Sequence, residues 1–128
     1  MYYLRINSTH ARNMNELKMP EVFEVYKDAR GEHRFRLKAA NGQIIATGEG
    51  YSSKAGCLNG INSVKENCTI PERFETYQDN SGEWRYRLKA ANGQVIATGE
   101  GYSSEAGLKN GIESVTKNAL SAEIVEVE

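Results

Sequence analysis

Nothing in the 128-residue sequence approaches the roughly 18 consecutive apolar residues of a membrane-spanning helix. The opening segment, MYYLRINSTHARNMNELK, lacks the apolar run of a secretory signal, so a soluble cytosolic protein is expected. Neither sign of charge is in excess: 16 Lys and Arg stand against 17 Asp and Glu, a formal net charge of −1. No global field therefore draws the chain toward nucleic acid or an anionic membrane. Walker phosphate loops, GxSxG elbows, HExxH and paired CxxC motifs are all missing. Histidine is scarce, and the second of the two, His33, has Trp84 as its counterpart in the internal repeat described below. No catalytic, cofactor-binding or metal-binding residue is assigned on these grounds, and the chain is read as a non-enzyme.

Cysteine is equally scarce. Cys57 and Cys68 are eleven residues apart in a segment that reads as helix. A rise of about 1.5 Å per residue puts their backbones roughly 16 Å apart, beyond disulfide reach. Their repeat counterparts are Leu108 and Ala119, so these positions require apolar bulk rather than sulfur, as buried structural thiols supply.

What the sequence does contain is itself, twice. Phe23–Cys68 aligns without a gap on Phe74–Ala119 at an offset of 51, and 32 of the 46 pairs are identical. A repeat of about 50 residues buries too little surface to be robust alone, whereas about 100 residues form an adequate core. The expected organisation is an N-terminal extension over 1–19, a first repeat over 20–70 and a second over 71–128. The repeats are expected to form one cooperative domain, a monomer that is internally a pseudo-dimer. Tyr2 to Ile6 offers an alternative reading as a short edge strand.

Within one repeat, Phe23-Glu-Val-Tyr-Lys and Arg34-Phe-Arg-Leu-Lys-Ala39 alternate apolar and polar residues, as half-buried strands do. A three-residue loop, Ala29 to Gly31, pairs Tyr26 with Arg34, Val25 with Phe35, Glu24 with Arg36 and Phe23 with Leu37. Asn41-Gly42 reads as a two-residue type I′ turn, which pairs Ala39 with Ile44, Lys38 with Ile45, Arg36 with Thr47 and Arg34 with Glu49. These registers gather Phe23, Val25, Phe35, Leu37 and Ile44 on one face, matched by Phe74, Tyr86, Leu88 and Val95. The other face carries charge. Ser52 or Ser53 then caps a helix with an apolar stripe of Cys57, Ile61, Val64 and Cys68. Gly60 and Gly111 sit beside the stripe despite a helix cost of about 1 kcal/mol, which suggests a close approach to the sheet. Ile70 to Tyr77 and Glu123 to Val127 alternate again and read as further strands.

The strand His33-Arg-Phe-Arg-Leu-Lys-Ala, the Asn41-Gly42 turn, Tyr51-Ser-Ser and the helical Asn59-Gly-Ile-Asn-Ser-Val64 occur in this order. The second copy repeats the order with Asn92-Gly93, Tyr102-Ser-Ser and Asn110-Gly-Ile-Glu-Ser-Val115. Over residues 20–121 the chain resembles the YegP-like proteins, a domain family of unknown function. The resemblance implies an α+β fold: two tandem β3-α-β repeats, C-terminal strands exchanged, forming one mainly antiparallel sheet with two helices on one face. It implies no activity, cofactor or catalytic residue.

The candidate partner surface is the charged sheet face, with Arg34, Arg36, Lys38, Arg85, Arg87 and Lys89, and with Ile45 and Ile96 placed beside the lysines by the register. Six basic residues with Tyr26 and Tyr77 between them could track a nucleic-acid backbone and stack bases. The register argues against this, setting Glu49, Glu24, Glu100 and Glu75 across from the four arginines and leaving Lys38 and Lys89 uncompensated. Asp28 and Asp79 are read as turn residues, and Gly48-Glu-Gly-Tyr-Ser-Ser as a structural turn into a helix cap rather than an anion site. The leading reading is a small non-catalytic interaction or structural module whose partner the sequence leaves open, another protein being one candidate. A nucleic-acid-binding protein comes second and an enzyme third.

Overall fold

The computed structural model describes residues 20–127. The proposed edge strand at Tyr2 to Ile6 and His10 lie outside the described residues. Each repeat begins with a meander: β1 (Val22–Lys27), β2 (His33–Lys38) and β3 (Ile44–Gly48), then β4 (Phe74–Gln78), β5 (Trp84–Lys89) and β6 (Val95–Thr98). Each meander leads into a helix, α1 (Lys54–Asn67) or α2 (Glu105–Ser121), and β7 (Glu123–Glu126) follows α2. The strands form one seven-stranded sheet in the order β4-β5-β6-β3-β2-β1-β7. All pairs are antiparallel except β1–β7, which is parallel. The fold is therefore the α+β arrangement expected, with its pseudo-two-fold at the β3–β6 seam.

Turn chemistry sets the meanders. Gly31 and Gly82 take φ of 83° and 89°, closing three-residue loops in which Asp28 N–H donates to the Glu32 carbonyl and Asp79 N–H to that of Glu83. The Asn-Gly turns differ from the sequence reading. Ala39 N–H donates to the Gln43 carbonyl at 2.9 Å, and Gly42 alone has positive φ, so Ala40-Asn41-Gly42 is also a three-residue loop. A type I′ turn would need positive φ at Asn41 as well. Asn41 instead folds its own side chain back, Oδ1 accepting from Gln43 N–H at 3.0 Å.

The longer loop moves β3 by one residue, and a bulge restores the register. Lys38 pairs with Ile44 while Leu37 still pairs with Ala46, so Ile45 is the extra residue. It turns inward with 6 % exposure, and Ile96 at the equivalent bulge is 7 % exposed. Ile45 and Ile96 belong to the core, not the charged face. Ile44 and Val95, expected in the core, take the half-buried positions opposite Lys38 and Lys89.

Ser53 and Ser104 cap the helices, each hydroxyl accepting from a backbone N–H three residues on at 3.0 Å. The α1 stripe of Cys57, Ile61, Val64 and Cys68 is buried as its spacing predicts, and so are Leu108, Val115 and Ala119 of α2, with Ile112 half-buried. Gly48 and Gly99 exist for packing: a Cβ on either would run into the ring of Phe35 or Tyr86. These two rings meet Phe23 and Phe74 edge-on at 5.8 and 5.5 Å.

The strand exchange is one-sided. β7, from the second repeat, lies on β1 of the first. After α1 no equivalent strand forms, because the chain makes a 3-10 turn at Pro71–Arg73 and enters β4 directly. Among the described residues the outer edge of β4 has no partner strand. The two edges differ to match: Val22 and Val25 of β1 stand where the second repeat has Arg73, in the 3-10 turn, and Thr76 of β4. Polar residues keep an uncovered edge from pairing indiscriminately.

Contacts across the seam join the repeats. The Tyr86 hydroxyl donates to the Ile45 carbonyl at 2.7 Å, with the Tyr86 side chain fully buried. Thr116 of α2 donates to the Cys68 carbonyl at 2.8 Å. Tyr86→Phe leaves that bulge carbonyl buried without its donor, which costs about 1–3 kcal/mol. Urea denaturation of the variant measures it, and an unchanged midpoint would mean the bond contributes nothing.

Candidate interaction surface

The helix-free face of the sheet carries a row that reads the same from either end. Strand registers align Glu24, Arg36 and Thr47 with Thr98, Arg87 and Glu75 across six strands. The two threonines meet at the seam and the glutamates lie toward the margins. Alternation along each strand puts these side chains opposite the core. Arg36 Nε reaches Glu24 at 2.7 Å and Arg87 Nη1 reaches Glu75 at 3.2 Å. Each guanidinium also stacks over the ring of a neighbouring tyrosine, Arg36 on Tyr26 at 4.3 Å and Arg87 on Tyr77 at 4.1 Å.

The remaining cations are matched differently from the sequence expectation. Lys38 and Lys89, read as uncompensated, each lie 3.2 Å from the glutamate that holds the neighbouring arginine. Arg34 and Arg85 pair not with Glu49 and Glu100 but with the turn aspartates, at 2.8 Å to Asp28 and 2.6 Å to Asp79. Each aspartate splits its work. One oxygen accepts two backbone N–H groups of its own turn at 2.9 Å, and the other takes the arginine. The spacing of Asp28 and Arg34, six residues apart across a three-residue hairpin, was the available signal for this pair. Of the eight residues proposed for the surface, Arg34, Arg36, Lys38, Arg85, Arg87 and Lys89 are gathered there.

Four acids that pair with the cations of this face, Glu24, Asp28, Glu75 and Asp79, are held below the ordinary carboxylate range. For Glu24, burial pushes the carboxyl up, and hydrogen bonds from Arg36 and Lys38 outweigh it. Hydrogen bonds from the Glu32 backbone amide and Arg34 lower Asp28; Lys89 and Arg87 lower Glu75; Arg85 and Ser81 lower Asp79. A group with a depressed folded value stabilises the fold above its unfolded value and loses that contribution as pH falls through the folded one. Stability should therefore be flat from about pH 7 down to about pH 5 and decline below about pH 4. Asp79→Asn should flatten that acid limb in a pH series of thermal melts. An unchanged limb would mean that the Asp79–Arg85 pair contributes nothing to it.

Cys57 and Cys68 are free and buried, as expected. Burial pushes the Cys57 thiol up to about 11 and raises that of Cys68, so neither is a poised nucleophile. Burial raises the phenols of Tyr51, Tyr86 and Tyr102 as well. Among the described residues no cluster of three or more His, Cys, Asp or Glu could hold a metal ion, and no helix is long and apolar enough to cross a membrane.

Sheet order, paired meanders and the palindromic face define a tandem-repeat α+β domain, and its sequence matches one family model twice, over residues 28–75 and 79–126. That model is described as a domain of unknown function, DUF1508, and the chain belongs to this YegP-like family. It is 49 % identical over 109 residues to a UPF0339 protein encoded in the 5′ region of the ptx operon of Stutzerimonas stutzeri, covering 85 % of this chain and 98 % of that one. It is 44 % identical over 105 residues to UPF0339 protein YegP of Yersinia pestis, covering 82 % and 94 %. The solution structure of yegP from E. coli, described as a protein of unknown function, superposes with a TM-score of 0.80 at 37 % identity, covering 84 % and 93 %. None of these names indicates a catalytic activity.

Proposed function

We propose that the protein is a small non-catalytic interaction module that presents its charged sheet face to a protein partner. The palindromic Glu24–Arg36–Thr47–Thr98–Arg87–Glu75 row carries this reading. It is a surface whose side chains are fixed by ion pairs and ring stacking before any partner arrives, which lowers the entropy lost on binding. Internal neutralisation argues against a nucleic-acid backbone as the partner, because each cation already has an anion within 3.5 Å. The perturbed groups support a non-enzymatic role, since acids are lowered and thiols and phenols raised, each away from neutrality.

The test compares nuclease-treated extract captured on the intact protein with extract captured on Arg36→Glu/Arg87→Glu. Proteins retained by the first and lost from the second support the reading. Identical sets from both would remove this face from the function. Fluorescence anisotropy with single- and double-stranded oligonucleotides near 150 mM salt decides the alternative. Tight binding that falls steeply with added salt would establish nucleic acid as the ligand.

A further inference from the structure

On the other side of the sheet, a groove of about 680 Å³ runs between the β2–β3 turn and α2, lined by Glu21, Asn41, Glu113, Ser114, Lys117 and Asn118 among others. The repeat supplies an internal comparison. At the offset of 51, Ser114 and Asn118 correspond to Ser63 and Asn67 on α1, and Val22 corresponds to Arg73. Both asparagines are clasped alike. The Asn67 amide nitrogen donates to the Ser63 carbonyl at 2.8 Å, and the Asn118 nitrogen to the Ser114 carbonyl at 2.8 Å. Each also reaches its serine hydroxyl, at 3.3 and 3.0 Å. With the nitrogen so occupied, the amide oxygen is directed to accept from elsewhere.

On α1 it does. The Arg73 guanidinium donates to Asn67 Oδ1, and Asn67 is 6 % exposed beneath it. On α2 the equivalent arginine is Val22, too short and apolar to donate. Among the described residues Asn118 Oδ1 has no donor, and the half-buried asparagine lines the groove instead. Glu21 and Glu113 add two carboxylates to the lining against the single ammonium of Lys117. The Ser121 hydroxyl donates to Glu21 at 2.5 Å and holds its carboxyl below the ordinary range.

We propose that this groove is a binding site for a guanidinium group presented from outside the domain, accepted by Asn118 Oδ1 and balanced by Glu21 and Glu113. A guanidinium suits the site better than an ammonium, because its planar fork can donate to the amide with one edge and to a carboxylate with another. A free small molecule and an arginine side chain of a peptide carry the same group, and the two sources are separable. The site lies on the helix side of the sheet, so it goes beyond the function proposed above and either can fail without the other.

The experiment is an NMR titration of the intact protein with argininamide, a blocked Gly-Arg-Gly peptide, and their lysine counterparts. Saturable shifts are expected at the Asn118 side-chain amide and at the Asn41 and Ser114 backbone amides, with the arginine probes binding about fivefold or more tighter than the lysine ones. Tighter binding of the peptide than of argininamide identifies a peptide source, and equal or weaker binding identifies a free guanidine. Val22→Arg should supply the missing guanidinium from within and abolish the shifts. Asn118→Ala should weaken binding about tenfold, and it decides the matter alone if Val22→Arg does not fold. The proposal is overturned by an absence of saturable shifts up to about 20 mM probe, by equal binding of arginine and lysine probes, or by undiminished binding to the folded variants.

Discussion

Residues 71–128 on their own should be unfolded at low micromolar concentration and gain structure only by pairing with a second copy. The fragment keeps β4–β6, α2 and β7 but loses what they pack on. β6 loses β3 across the seam, β7 loses β1, Tyr86 loses the Ile45 carbonyl, and Thr116 loses the Cys68 carbonyl. The apolar stripe of α1, wholly buried in the intact protein, disappears with the first repeat. A chain of under 60 residues seldom compensates for such losses. A symmetric dimer restores them, with β6 against β6 and each β7 laid on the open edge of the other copy's β4. Size-exclusion chromatography and near-ultraviolet circular dichroism report this, since Trp84 packs against the core. A folded, monomeric fragment at that concentration would establish two independent domains and end the shared-core account.

Gly60→Leu and Gly111→Leu should each destabilise the protein by roughly 1–3 kcal/mol. Sequence alone explains the glycines as a close approach of helix to sheet; the structure supplies a more particular reason. A Cβ on Gly60 would lie 2.7 Å from Cζ of Tyr51 and closer still to its hydroxyl, and Gly111 meets Tyr102 in the same way. Tyr51 cannot easily retreat, because its backbone is bonded on both sides to His33, at 2.7 and 2.8 Å. Either the ring leaves its packed rotamer or the helix lifts, and both sacrifice packing. Leucine improves intrinsic helix propensity by about 1 kcal/mol, so the measured loss is the clash less this gain. Chemical denaturation of Gly60→Leu, Tyr51→Ala and the double variant forms a cycle in which removing the ring should relieve much of the penalty. A raised midpoint for Gly60→Leu would mean that the ring does not lie across the helix there.

Most of the architecture was legible because two independent copies recorded it. Where both copies kept an apolar residue at helical or alternating spacing, as at Ile61 and Ile112 or Leu37 and Leu88, the position packs on the core. The misplaced core residues came from one kind of turn. Asn-Gly specifies a hairpin but not its length, and a loop one residue longer than assumed exchanged the environments of Ile44 and Ile45. Residues beyond the bulge were unaffected, so Arg36 still met Glu24 and Thr47. The charge partners of Arg34 and Arg85 were missed because a turn aspartate was assigned a single task, though it has two oxygens. The groove was illegible for another reason. Duplication hides what differs, and the exchange of Val22 for Arg73 gains meaning only once both asparagines are seen clasped in the same way.

The lone parallel pair has a mechanical consequence. β1 and β7 run side by side in the same direction, joined over Val22–Val25 and Glu123–Glu126. Tension applied at the start of β1 and the end of β7 pulls the two strands lengthwise past each other. Their hydrogen bonds cross the gap between the strands, so all of them bear the load together and none opens ahead of the rest. Had β7 entered antiparallel, the same pull would have drawn on one end of the pair and peeled it bond by bond. The short strand that closes the sheet at β1 is thus oriented as a clamp against stretching.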